Sequence, residues 1–386
     1  MKPLLSLVLS SVVFIGAGAA FAASTEVNLT PTAVISPWTY WPTAPTQGRF
    51  YRPTGIQVGN TYYMYVEGGA FTNTLTGPGS ESCPQIGEKI LAFSTPWTSQ
   101  GLRQPFTYVA PVSPCISQPK AHFITGSAFR SSTDGQVKLL IDETYGGSQV
   151  QSGDFKETLL GTSSDGVHFT WSTFLKQSVV GSGTYSTYLV KLVQATGNTN
   201  WWGTFWWAVC HVCDGTTHLE LGDQVTAPGR IRVIMDSTNP RGYVVYILSG
   251  GTWKAVNDDG TFNFAPDTTS DILTQSIVFN NGQWEEWGDT ALCTAMDGCS
   301  DGTSTDCSTF QYEVTNQGGG LGGVQMVTSM KRPMPTKNGL GRLGPFRMQD
   351  MNGVRLLYSS STDRLCATGV NVGFPGSEII VTEVNN

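Results

Sequence analysis

The sequence predicts an all-β chain assembled from repeated sheets. The first observation is a strand, turn and strand unit at 53–67, which returns with different residues at 126–143, 229–248 and 344–359. The second is the near absence of helical periodicity along the chain. The third is composition, because 45 glycines and only 13% charged residues are typical of a turn-rich β protein. Sheet units that recur at irregular intervals and must bury their faces against each other predict a five-bladed β-propeller.

The first 22 residues have the features of a secretory signal peptide. Lys2 precedes a mostly apolar stretch at 4–21, and Ala20-Phe21-Ala22 fits a small-residue cleavage site. A transmembrane helix is the alternative, but the stretch is rich in Ser, Gly and Ala and polar sequence follows at once. We therefore expect residues 1–22 to be removed and the mature protein to be secreted or periplasmic, with no membrane partner.

The remaining residues, 23–386, are expected to form a single propeller domain. We place the blades, in chain order, at 52–109, 125–171, 188–209, 230–264 and 343–358. Turns such as Asp165-Gly166 support these assignments, because Asp bonds its own backbone and Gly accepts a positive φ. An inserted or extended segment is expected at about 267–338, where a sixth blade is left open.

Charge and cysteine content limit the partners and the compartment. The formal net charge of −7 would repel nucleic acid, which is therefore not an expected partner. Eight cysteines in an exported chain indicate disulfides, although the sequence does not choose the pairing. The Cys210-His211-Val212-Cys213 motif is interpreted as part of a structural disulfide in preference to a metal or redox site, because no second pair has matching spacing.

One loop is rich in hard oxygen ligands. Residues 297–306 include three Asp residues, but they lack the spacing and the final Glu of an EF-hand calcium loop. We interpret the loop as solvated and expect no metal site and no cofactor. A structural calcium ion is the alternative.

Residues 52–65 carry a resemblance to a known family. Arg52-Pro53, a Val-Gly-Asn turn at 58–60 and the run Tyr-Tyr-Met-Tyr at 62–65 resemble the opening blade of the five-bladed propeller glycoside hydrolases. The nearest resemblance is to family 43 and its arabinanase, xylosidase and fructan-hydrolase relatives. Residues 90–95 and 160–171 resemble strands and hairpins of the same enzymes. The resemblance implies a secreted carbohydrate-active protein, a glycoside hydrolase that binds a polysaccharide or oligosaccharide in the axial funnel.

The catalytic positions of that family are not matched. The family places an Asp beside Pro in the first blade, a second Asp in the second blade and a Glu in the third, all on inner strands. Here Arg52 stands at the first position, Gly126-Ser127 at the second, and 188–193 contains no acid. Since a guanidinium stays charged at neutral pH, Arg52 cannot act as the base.

Candidate catalytic acids are therefore sought among carboxylates that end predicted strands. Glycoside hydrolysis requires two carboxyl groups flanking the bond. The candidates are Glu67, Asp142, Glu143 and Asp236. The alternative is that these side chains are solvated or cap loops, as most Asp and Glu residues are.

Basic and aromatic residues supply candidate substrate contacts. Arg52, Arg230 and Arg342 fall near the starts of predicted inner strands, where they could bind an anionic group such as a uronate. They could equally form internal ion pairs, since a buried charge needs a partner. Trp41 is a candidate platform for a sugar ring.

Two other functions stay open at this level. A non-catalytic carbohydrate-binding propeller would keep the architecture without the acids. A polysaccharide lyase acting on a uronate-containing glycan would use Arg52, His122 and Tyr188, with Tyr or His removing the proton.

Overall fold

The fold is seen in a computed structural model. It describes residues 32–43, 45, 48–70, 77–80, 89–115, 122–145, 154–194, 199–210, 226–268, 272–280, 283–290, 309–316, 324–328, 343–361 and 378–384. Nearly all regular structure in these ranges is strand, so the chain is all-β as predicted. Two short helices are described, α1 (Pro37–Tyr40) and a 3-10 helix (Gly101–Arg103). Ser36 caps α1, because its hydroxyl accepts from the Trp38 amide.

The strands are short to medium in length and bounded by turns. In chain order they are β1 (Thr32–Ile35), β2 (Gly48–Val58), β3 (Thr61–Ala70), β4 (Lys89–Pro96), β5 (Thr107–Pro111), β6 (His122–Arg130), β7 (Val137–Tyr145), β8 (Asp154–Ser163), β9 (Thr170–Lys176), β10 (Ser178–Val180), β11 (Gly183–Gln194), β12 (Trp201–Cys210), β13 (Thr226–Met235), β14 (Tyr243–Ser249), β15 (Thr252–Ala255), β16 (Ile272–Asn280), β17 (Gln283–Thr290), β18 (Thr309–Asn316), β19 (Val324–Thr328), β20 (Leu343–Gln349), β21 (Arg355–Ser361) and β22 (Glu378–Val384).

These strands form five antiparallel sheets. The first sheet is β2-β3-β4-β5, the second β6-β7-β8-β9, the third β10-β11-β12-β13-β14-β15, the fourth β16-β17-β18-β19 and the fifth β20-β21-β22-β1. The fifth sheet combines the first and the last described strands, because β1 pairs with β22. This pairing holds the segment that leads into the first sheet against the last sheet.

The sheets follow one another around a closed ring. One strand of each sheet is the inner strand, and β2 contacts β6, β6 contacts β11, β11 contacts β16, β16 contacts β20, and β20 contacts β2. This is a β-propeller-like arrangement. We call the strand that follows each inner strand in the chain the second strand, and it runs antiparallel to the inner strand. Inner strands therefore begin on the same face of the ring as that on which second strands end. We call this the upper face and the opposite one the lower face.

The hydrophobic core lies between neighbouring sheets. One cluster, with Leu140 and Trp201 among its members, packs the second sheet against the third. Another, with Met64 and Tyr358, packs the first against the fifth, and a third, with Tyr65 and Leu139, packs the first against the second. The alternation of side chains along each strand supplies both faces of every sheet with apolar residues.

The predicted blades correspond to the observed sheets only in part. The first two predicted blades coincide with the first two sheets. The predicted third and fourth blades form one six-stranded sheet, because β12 pairs with β13 from Trp201↔Val233 to Ala208↔Thr226. The segment at 267–338, expected to be inserted or extended, contains the four strands β16 to β19, which make the fourth sheet.

Candidate functional site

A repeated hydrogen bond links inner strands of neighbouring sheets. In each case a backbone N–H of one inner strand donates to a Ser or Thr hydroxyl on the preceding sheet's inner strand. The bonds are Ala128 N to Thr54 Oγ1 (3.0 Å), Leu192 N to Ser127 Oγ (2.8 Å) and Arg347 N to Ser276 Oγ (3.2 Å). These three bonds together involve all five sheets and align them residue by residue. Gly55 and Ile277, which follow the acceptors Thr54 and Ser276, are the residues equivalent to the amide donors in the first and fourth sheets.

This alignment defines one equivalent residue on each second strand. Ala128 pairs with Leu139, and Asp142 lies three residues further along β7. The same count from the partners of Gly55, Leu192, Ile277 and Arg347 reaches the corresponding residues of the other sheets. We call them the ring positions, and they are Glu67, Asp142, Trp206, Asp289 and Ser360.

Ring-position side chains reach the inner strand of the following sheet. The Leu189 amide donates to Asp142 Oδ2 at 2.6 Å, and the Arg52 amide donates to Ser360 Oγ at 3.1 Å. Both donors have positive φ, 51° and 39°, which is uncommon for residues other than glycine. Each lies in an irregularity of its inner strand, where the ladder shifts register. Such bulges redirect side chains, and here they bring each inner strand up to the ring position of the preceding sheet.

Arg52 forms an ion pair with Glu67. Its Nη1 lies 2.8 Å from Glu67 Oε1 and 3.1 Å from Oε2. Glu67 is 1% exposed, so the pair is largely shielded from water. A Cβ added to Gly344 would lie 2.9 Å from Arg52 Cγ, so the fifth sheet packs directly against the arginine. Removal of Arg52 would leave a buried carboxylate without this partner.

Asp142 is the carboxyl group at the ring position of the second sheet. It is 1% exposed, Thr158 donates to its Oδ1 at 2.7 Å, and Leu189 donates to its Oδ2. Burial raises the pKa of Asp142 to about 6, against the lowering effect of these bonds and of Lys191, and the charge of Glu67 raises it further. Lys191 itself donates to the Thr125 and Gly126 carbonyls of β6. Asp142 therefore holds a proton at mildly acidic pH.

Glu143 follows Asp142 but faces the opposite side of β7. Strand alternation places it with Ile141, whose cluster lies between the first and second sheets. Glu143 is 3% exposed, and burial, followed by the charge of its cross-strand neighbour Glu157, raises its pKa to about 7. Thr173 donates to Glu157 Oε2 at 2.7 Å. Glu143 is a second proton-holding acid near the upper face, but it lies off the ring positions.

Asp236 lies on the lower face, away from the other three acids. It follows β13, which is the third strand of its sheet when the inner strand β11 is counted as the first. Because neighbouring strands are antiparallel, β13 runs in the same direction as β11 and ends on the lower face. The Met235 amide beside it donates to Asn200, in the connection that leads from β11 to β12. Asp236 caps its own turn through Thr238, and this hydrogen bond lowers the pKa of Asp236.

The predicted substrate contacts are scattered. Arg230 lies on β13 opposite Thr204, so the expectation that it begins an inner strand is wrong. Arg342 lies outside the described residues, and of His122 only the backbone at the start of β6 is described. Tyr188 is on inner strand β11 and is 2% exposed, paired across the ladder with Trp206. Trp41 is 4% exposed and stacks on Phe50 in the core.

Sequence reasoning missed three of the five ring-position residues, Trp206, Asp289 and Ser360. Asp289, of which the backbone is described, has the same register position in the fourth sheet as Glu67 and Asp142 have in theirs. It was overlooked because 267–338 was interpreted as an insertion. Trp206 lies in β12, which contains four tryptophans, and residue type alone does not distinguish it from the others. A count from the aligned residues of the inner strands would have found all three, but the inner strands and their alignment had first to be known.

Metal and disulfide expectations fall mostly on residues that are not described. Within the described ranges, no group of three or more His, Cys, Asp and Glu residues is placed to hold a metal ion. The loop at 297–306 and His211 to Cys213 lie outside those ranges. Cys115 is disulfide-bonded. No helix in the described part of the chain has both the length and the apolar character needed to cross a bilayer.

Comparisons with known proteins give structural likeness without sequence relatives. No model of a known protein family matches the chain, and no curated protein matches it. Among solved structures, Zg3597, a family 117 glycoside hydrolase of the marine bacterium Zobellia galactanivorans, superposes with a TM-score of 0.50 at 10% identity over 94% of this chain and 90% of that one. A solved complex of the protein BT0996 gives 0.52 at 10% identity over 94% and 92%.

These likenesses show a shared fold. A thermostable family-43 glycoside hydrolase also superposes, with a TM-score of 0.48 at 9% identity over 87% of this chain and 89% of that one. The shared fold rests on the first two, and at these identities residue roles are not transferred.

Proposed function

We propose that this protein is a secreted glycoside hydrolase whose five sheets are the blades of a five-bladed propeller. It would cleave a polysaccharide or oligosaccharide at the upper face, beside the ring positions. One observation carries the proposal. Glu67 and Asp142 are carboxyl groups at equivalent ring positions of adjacent sheets, and the charge of Glu67 contributes to the raised pKa of Asp142.

The environments of the two groups suit different chemical roles. Asp142 keeps its proton up to about pH 6 and would protonate the leaving glycosidic oxygen. Glu67 is ion-paired with Arg52 and would act as the carboxylate that activates water or stabilises the positively charged sugar. Pairs of acids whose surroundings differ in this way are the usual basis of acid and base assignment in glycosidases. Glu143, with its pKa near 7, is the alternative proton donor.

The scaffold and the chain's first residues support the same proposal. The likeness to a family 117 glycoside hydrolase supports a carbohydrate-active propeller, as does the resemblance of residues 52–65 to family 43. Residues 1–22 support export, and a disulfide-bonded Cys115 is compatible with an oxidising compartment.

A non-catalytic glycan-binding propeller is the second candidate, and a specific observation favours it. Glu67 and Asp142 are each 1% exposed, and both are engaged by the protein itself. Asp142 accepts hydrogen bonds at both oxygens, and Glu67 is held by Arg52. Carboxyl groups committed in this way could serve to hold the ring of sheets together without contacting a glycosidic bond.

The deciding experiment is a substrate screen of the purified mature protein. It would be incubated with arabinan, xylan, fructan and uronate-containing glycans, with assays for new reducing ends and for the absorbance of unsaturated products. We expect reducing ends from at least one glycan, and losses of about 10²-fold or more in rate for Glu67→Gln and Asp142→Asn. Asp236→Asn, on the lower face, is the matched control and should retain the wild-type rate.

Three results would contradict the proposal. Binding without any product would leave the glycan-binding function. Unsaturated products would indicate elimination in place of hydrolysis. Wild-type rates in both ring-position variants would show that the reaction, if present, uses other acids.

A further inference from the structure

Trp206 occupies the ring position of the third sheet. It is 4% exposed. Its neighbours in the chain, Phe205 and Trp207, both belong to the hydrophobic cluster between the second and third sheets. Strand alternation turns Trp206 to the other side of β12. Trp206 belongs to none of the hydrophobic clusters described above, and its cross-strand neighbour Tyr188 is likewise outside them. It is an aromatic side chain at a position that the first two sheets give to carboxylates.

The indole N–H of Trp206 has no hydrogen-bond partner among the described residues. A buried donor without a partner costs free energy, and such groups in native proteins call for an explanation. An unpartnered N–H does not by itself mark a ligand-binding residue. The N–H groups of Trp201 and Trp207 are also without described partners, and both of these rings pack in the core. What distinguishes Trp206 is that its donor lies at the ring position next to that of Asp142.

We propose that Trp206 is a specificity-determining residue that binds the sugar whose glycosidic bond is positioned by Glu67 and Asp142. Its N–H, which points outward from the edge of the indole, donates to a hydroxyl of a neutral sugar ring. This inference rests on the proposed glycan-active function. A hydroxyl acceptor would satisfy the donor, and this directed hydrogen bond would orient the ring beside the two carboxyl groups.

The test separates the N–H from the ring and the ring position from the core. Trp206→Phe removes the donor and keeps an aromatic ring, whereas Trp206→Ala removes both. Trp207→Phe is the matched control, since it removes an equally buried donor from the other face of the same strand. Calorimetric titration of each variant with xylotetraose, arabinotetraose and a fructo-oligosaccharide would be combined with urea unfolding and with the reducing-end assay.

We expect Trp206→Phe to weaken binding of the preferred oligosaccharide about tenfold, the usual effect of one lost hydrogen bond, with a loss of stability similar to that of Trp207→Phe. Trp206→Ala should weaken it further, and Trp207→Phe should bind like the wild type. Equal binding by Trp206→Phe and the wild type, with hydrolysis intact, would overturn this inference and leave the hydrolase proposal standing. Binding that depends on Trp206 but is not followed by hydrolysis would support this inference and overturn the hydrolase proposal. A wild-type protein that neither binds nor cleaves these glycans would overturn both.

Discussion

Replacement of Asp142 by Asn should change how the stability of the protein depends on pH. The folded-state pKa of about 6 lies above the ordinary value of 3.8, so the folded protein binds more protons than the unfolded chain between those values. Its free energy of unfolding therefore falls as pH rises through this window. At about 1.4 kcal/mol for each pKa unit, the rise corresponds to about 3 kcal/mol in all, of which most is lost between pH 4 and pH 7.

The substitution has a second, pH-independent effect. Asp142 accepts hydrogen bonds from Thr158 and Leu189, and an Asn side chain has one oxygen, so one of the two bonds is lost at a cost of about 1–2 kcal/mol. The wild type should accordingly be the more stable protein at pH 4. The variant, which carries no charge to bury, should be equally or more stable at pH 7. The two stability curves are expected to cross between them.

The measurement is urea unfolding of the mature protein at pH 4, 5, 6 and 7 with its disulfides intact. The difference between wild type and Asp142→Asn is the informative quantity, because the pH dependence contributed by Glu143 is present in both proteins and cancels. A difference that stays constant from pH 4 to pH 7, or one in which the wild type gains on the variant as pH rises, would refute the assignment of a raised pKa to Asp142.

Three further substitutions test contacts within and between the sheets. Arg52→Met should destabilise the fold by about 3–5 kcal/mol in urea unfolding, because it leaves the buried carboxylate of Glu67 unpaired. Gly203→Ala should prevent recovery of folded protein, judged by circular dichroism, since its Cβ would lie 1.7 Å from the Lys191 carbonyl oxygen on the neighbouring strand. Tyr65→Phe should cost about 1 kcal/mol in the same unfolding assay, because its hydroxyl donates at 2.7 Å to a carbonyl in the turn between β8 and β9.

Each of these has a control. Adding Glu67→Gln to Arg52→Met should restore most of the lost stability, and no recovery would mean that the ion pair is not the cause. Gly242→Ala meets no atom within 4 Å and should cost about 1 kcal/mol from its positive φ alone, so an equal effect at Gly203 would contradict the steric argument. Tyr63→Phe, two residues earlier on the same face of β3 but partly exposed, should be near neutral, and a loss equal to that of Tyr65→Phe would discount the hydrogen bond.

The sequence located most strands but misjudged how they join. Alternating apolar residues and Gly-containing turns marked the first two sheets correctly, and the strands of each pair in chain order. The join of β12 to β13 was missed, since the connecting stretch at 211–225 resembles a boundary between units. The segment at 267–338 contains the fourth sheet but has weaker alternation and its own cysteine cluster, so it resembled an insertion. Local patterns report strands, while sheet membership depends on pairing across the connections.

The residues of the candidate site were likewise predictable from the sequence only in part. Strand-end acids could be identified in the sequence, and the replacement of an expected Asp by Arg52 was visible at once. The separation of Asp236 from the other acids was not visible, because it depends on the direction of each strand in the ring. The equivalence of Glu67, Asp142, Trp206 and Asp289 also appeared only when hydrogen bonds between inner strands aligned the sheets.

By itself the sequence determined an all-β chain of repeated sheets, with a first segment typical of an export signal and no acid at the usual inner-strand positions. These are properties of residue type and spacing, which the chain carries whether folded or not. Only the tertiary structure decided that Arg52 neutralises Glu67, that Asp142 is buried among hydrogen-bond donors, and that a tryptophan stands at the equivalent position in the next sheet. Burial and neighbouring charge set the protonation of a carboxyl group, and both arise from contacts between residues far apart in the chain.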